Sequence, residues 1–88
     1  MNATRRKALA TIAATLNAID FGDETSRIEI IRDEEQDVLD SMSDGKQAGD
    51  AGDAARAAID AMNEAIDCLE QASASIEGAM EQLQIASE

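Results

Sequence analysis

The sequence predicts an all-α fold. The expected form is an antiparallel helical hairpin or coiled coil, its first arm broken near residues 21–25, assembled into a homo-oligomeric helix bundle. Three observations lead there. The palette is helical: proline, tryptophan, tyrosine and histidine are absent, and Phe21 is the one aromatic residue. The last third of the chain carries a long apolar run at alternating spacings of three and four. The first half carries a matching run that is interrupted once. Hydrophobic residues make up 44%, too many for a disordered chain dominated by charge. A length of 88 residues allows one domain, 1–88.

The last helix is expected over about 52–86. Ile59, Met62, Ile66, Leu69, Ser73, Ile76, Met80 and Leu83 form its seam, and Ala55 extends the seam backwards. Asp53, or Asp50, is positioned as N-cap. In the first arm, Leu9, Ile12, Leu16 and Ile19 form one seam, and Ile28, Ile31, Glu35, Val38 and Met42 another. Folded antiparallel, these layers match the last helix from Met42 against Ala55 to Leu9 against Leu83. The spacing from Ile19 to Ile28 is the exception, with five surplus residues within "DFGDETSR". Five residues would turn a continuous helix by about 140° and carry its apolar face off the seam. The sequence therefore predicts helices over about 3–20 and 25–43. Gly22 would end the first at positive φ, and Asp23, Thr25 or Ser26 would cap the second. A bulge in a continuous helix is the alternative. "SDGKQAGDAGD" (43–53) supplies the reversal. In this register Arg32 faces Glu64, Arg27 faces Glu70, and Arg5, Arg6 and Lys7 lie beside Glu81 and Glu88.

A second stripe runs along the last helix: Ala58, Ala61, Ala65, Cys68, Ala72, Ser75 and Ala79, every member small. Small side chains allow close helix approach, so this stripe is the candidate oligomer seam, a dimer being the simplest case. The competing explanation is alanine's helix propensity on a neutral flank.

The net charge is −12, and no cation follows Arg56. Nucleic acid and anionic membranes would be repelled, whereas a basic protein surface would be attracted. The candidate acidic face consists of Asp60, Glu64, Asp67, Asp33, Glu34 and Asp37. Within "DEEQD" (33–37), helical geometry sets Asp33 and Asp37 on one side and turns Glu34 and Glu35 away. The candidate anion-binding residues are Arg5, Arg6, Lys7, Arg27 and Arg32. Without histidine, the familiar acid–base and nucleophile pairings are excluded, and so is a histidine-bearing di-metal site. Neither a calcium loop nor a phosphate loop has its required spacing. No cofactor, no metal and no enzymatic activity are expected. The lone Cys68 fits a reducing cytoplasm. No bilayer-spanning segment and no signal peptide are read.

Three blocks together resemble a known group: Ala3-Thr-Arg-Arg-Lys-Ala-Leu9, "IRDEEQDVLDSM" (31–42) and "AAIDAMNEAIDCLEQA" (57–72). They are similar to small uncharacterised acidic helical-hairpin proteins of phages and prophages, over most of the chain. Two stretches depart from the group: the residues between Ile19 and Ile28 look inserted, and "SDGKQAGDAGD" replaces a more regular turn. The resemblance implies a non-enzymatic phage-encoded binding protein that inhibits a host defence protein through its acidic helical surfaces. The alternatives are an oligomeric sponge for an anionic nucleotide messenger and a phage structural or assembly factor.

Overall fold

Asn2 opens the first helix, its side chain accepting a hydrogen bond from the Arg5 backbone N–H at 2.9 Å. In the computed structural model, which describes all 88 residues, four helices follow in chain order. They are α1 (Ala3–Asn17), α2 (Gly22–Asp40), α3 (Asp44–Ala48) and α4 (Asp50–Ala86). The protein is all-α. Its helices fall into two units: Met1–Phe21 with Glu70–Glu88, and Gly22–Leu69.

The first arm is broken, as its phase error requires, and residues 18–21 separate α1 from α2. The break comes earlier than the sequence suggests, because α1 stops at Asn17 and not near 20. Its last turn tightens, with the Ile19 N–H donating to the Leu16 carbonyl at 3.0 Å. Gly22 does not end a helix at positive φ. No residue in the chain has positive φ, and Gly22 is the first residue of α2. The carboxylates of Asp23 and Glu24 in that first turn suit a helix N-terminus.

The reversal holds an extra element. Ser43 caps the five-residue α3, accepting from the Lys46 N–H. The Gln47 side chain turns back and donates to the Leu39 carbonyl at 3.0 Å and the Met42 carbonyl at 3.2 Å, satisfying acceptors at the C-terminal end of α2. Gly52 is buried, and a Cβ there would collide with the Gln47 backbone. Only glycine permits this close approach of α3 to α4. Asp50 and Asp53 both lie in the first turn of α4, which therefore starts slightly earlier than expected.

On α4 the seam is the one the sequence describes. Ala55, Ile59 and Ile66 are buried, and Met62, Leu69, Ser73, Ile76, Met80 and Leu83 are half-buried. The facing seams need correction. On α2 the covered positions are Thr25, Ile28, Glu29, Arg32, Glu35, Gln36 and Leu39, with Met42 just beyond its end, while Ile31 and Val38 stand more than half exposed. On α1 Ala13 replaces Ile12 between Leu9 and Leu16, and Ile12 and, beyond the helix, Ile19 are exposed. Both helices are thus turned by about 50°, half a residue's step, from the arrangement that would bury Ile12, Ile31 and Val38. In the second unit Leu39, Ala55 and Ile59 form the core, with Met42 packed on it. The long stem of Arg32 covers the seam while its head reaches polar partners. In the first unit Leu9 lines a groove with Met80 and Leu83, and Leu16 lines one with Ser73, Ile76 and Met80. This is the antiparallel order of the expected layers.

Candidate interaction surfaces

One rule organises the surface of the second unit. Each helix turns about 100° per residue, so the residue after each seam position falls on one edge and the residue before it on the other. The Arg32 guanidinium donates to Asn63 Oδ1 at 3.0 Å, which identifies the edge of α2 that lies beside the following residues of α4.

On that edge the residues following seam positions are Glu29, Asp33 and Asp40 of α2, and Asp53, Asp60 and Asp67 of α4. Asp37 and Glu64 stand one step further out. All are exposed except the half-buried Glu29. Two cations interrupt the surface, and both already have partners. Arg32 bonds Asp33 as well as Asn63, and Arg56 bonds Asp53 and the Gln47 carbonyl. The sequence-expected pairing of Arg32 with Glu64 is therefore replaced by Asn63 and Asp33. Arg27 pairs with Asp23, one turn before it on its own helix, and not with Glu70.

Of the expected acidic residues, Asp33, Asp60 and Asp67 share this face, while Asp37 and Glu64 lie on the backs of α2 and α4, turned away from the seam. Glu34 is also off this face; it precedes Glu35 and lies on the opposite edge of α2 with Arg27, Ile31 and Val38. The matching edge of α4 is the small-residue stripe, each member preceding a seam residue: Ala58 before Ile59, Ala61 before Met62, Ala65 before Ile66, Cys68 before Leu69. Ala72, Ser75 and Ala79 continue the pattern in the first unit, and only Ala72 of the seven is half-buried.

The candidate anion-binding residues divide between the two units. Arg5, Arg6 and Lys7 belong to the first unit, where Arg6 donates to the Glu88 carbonyl at 3.3 Å. Arg27 and Arg32 belong to the second and face the carboxylates just named. No group of three or more Asp, Glu or Cys side chains is arranged to hold a metal ion, and no helix is long and apolar enough to cross a membrane.

Charge separates the units. The second holds fourteen carboxylates against Arg27, Arg32, Lys46 and Arg56, and the first holds five against Arg5, Arg6 and Lys7. Sequence inspection missed the role of Gln47, whose signal is faint: an amide among glycines in a reversal. No family model, curated protein or solved structure matches this chain.

Proposed function

We propose that this protein is a non-catalytic binding protein that presents the carboxylate face of its second unit to a basic surface on another protein. The observation that carries this reading is the alignment of carboxylates from two helices on one face. The two cations of that face are already satisfied from within. Such a surface offers a basic groove the charge pattern of a nucleic-acid backbone, and electrostatic complementarity of this kind speeds association and selects partners. The resemblance to phage-borne acidic hairpins supports a nucleic-acid-binding host defence protein as the target, with inhibition by occupation of its basic channel.

The test uses a panel of purified basic DNA-binding nucleases of bacterial defence systems, measured by anisotropy of the fluorescently labelled protein at low and high salt. Binding to at least one member is expected, weakening roughly tenfold or more as salt screens the surface. Combined reversal of Asp60→Lys, Glu64→Lys and Asp67→Lys should abolish it. Binding that ignores both salt and the triple reversal would overturn the proposal, as would failure to bind any member at low salt.

A further inference from the structure

The opposite edge of α2 differs in kind from the carboxylate face. Arg27, Ile31, Glu34 and Val38 each precede a seam residue and stand in line, spaced four, three and four. Ile31 is 55% exposed and Val38 53%, and Ile30 beside them is 59% exposed. Across the hairpin lie Ala58 and Ala65, which add no bulk. The second unit therefore exposes three large β-branched side chains together, flanked by Arg27 and by two carboxylates, Glu34 and Glu24, the latter preceding the seam residue Thr25. Arg27 has only a loose partner here: its contact with Asp23 is 3.8 Å, and the two side chains are 74% and 80% exposed.

We infer that this edge is the docking surface for a second copy of the same chain. The exposed area and the charge pattern point to that occupant. A folded monomer of 9.3 kDa exposes roughly 5,000 Å² on the usual scaling of surface with mass. The whole chain, both units together, exposes 6233 Å², about 1,200 Å² above that scale, and a standard interface takes about 800 Å² from each partner. The charge pattern is also self-complementary. Arg27 lies four residues before Ile31 and Glu34 three after it. Two α2 helices crossing antiparallel about a two-fold axis near Ile31 set Arg27 of each copy against Glu34 of the other. A two-fold interface repeats every contact, so one such match yields two. The isoleucines fill the centre, and the carboxylate faces point away from the contact. A strongly acidic partner would meet Glu34 as an unpaired repulsion, and a strongly basic one would meet Arg27.

The experiment is light scattering on size-separated protein across the micromolar range, with helix content followed by circular dichroism. The wild type should have twice the 9.3 kDa chain mass. Ile31→Glu with Val38→Glu should give the monomer with helix content kept, since both sites are solvent-facing in the single chain. Arg27→Glu alone and Glu34→Arg alone should each weaken the dimer by roughly tenfold, and the double exchange should restore it. A wild type that stays at the chain mass overturns the inference, as does a dimer indifferent to Ile31→Glu with Val38→Glu, or a double exchange that fails to recover what each single change lost. None of these four positions is on the carboxylate face, so this result and the nuclease-binding result stand or fall separately.

Discussion

Both units lay a helix of the first arm antiparallel to part of α4, and they differ in what lies behind that contact. The second unit buries Leu39, Ala55, Ile59 and Ile66 and ties its helices with Arg32–Asn63 and the Gln47 side chain. The first buries no residue, and its Arg6 side chain in α1 donates to the Glu88 carbonyl just beyond the end of α4. Yet the second unit carries most of the net charge, whose self-repulsion opposes compaction. The comparison teaches that a closed apolar seam and polar ties hold a strongly acidic surface in place, while the nearly neutral unit needs less.

The largest expected effect tests that difference directly. Leu39→Ala removes a side chain only 8% exposed and should lower unfolding stability by about 2–4 kcal/mol in urea titrations. Leu16→Ala, at a half-buried seam position of the first unit, should lower it by about 1–2 kcal/mol. Equal losses would mean that the first unit is sealed as well as the second in solution.

Next in size is a contrast between two helical glycines of α4, one in each unit. Gly78 has open space around its missing Cβ, so Gly78→Ala should raise stability by up to about 1 kcal/mol through helix propensity. Gly52→Ala gains the same propensity but drives a methyl into the Gln47 backbone, and should lower stability by about 1–3 kcal/mol. Melting temperatures moving in opposite directions would confirm that the α3–α4 approach is fixed by glycine. A stabilising Gly52→Ala would show that α3 gives way.

These residues also show what the sequence could and could not reveal. The seam of α4 was readable position by position, because one apolar stripe there is bordered mostly by small residues before its members and by polar or charged residues after them. The first arm was half readable. Leu9, Leu16, Ile28, Glu35 and Met42 lie on the seam in either rotation, but Ile12, Ile31 and Val38 were favoured over Ala13, Arg32 and Leu39. Periodicity finds an apolar stripe without saying which of two adjacent stripes faces inward, and α2 carries both Val38 and Leu39. An arginine whose stem covers a seam also defeats a search for apolar residues. The carboxylate face was legible in part on both helices: Glu64 and Asp37 turn to their backs, and Glu34 follows Asp33 in sequence but lies across α2.

A smaller effect is expected at the reversal. Gln47→Ala leaves the Leu39 and Met42 carbonyls without their side-chain donor in a partly buried setting, and should cost about 1–2 kcal/mol. Amide exchange should quicken at the C-terminal turn of α2 and in α3 before it does elsewhere in the second unit. If exchange rises evenly along α2, the glutamine contributes to packing and is not a local tie.

The corresponding tie of the first unit should matter least. Arg6 reaches the Glu88 carbonyl from an exposed position at 3.3 Å, and both groups can exchange that bond for water. An exposed interaction of this kind contributes about 0–0.5 kcal/mol, so Arg6→Ala should leave the urea midpoint almost unchanged. The same substitution removes one of only three cations that offset the five carboxylates of that unit. Its effect should therefore grow as salt is lowered and vanish as salt is raised, since screening acts on the charge term and not on the hydrogen bond. A loss above about 1 kcal/mol that persists at high salt would show Arg6 sealing its unit as Gln47 ties the other, and the contrast between the two would narrow accordingly.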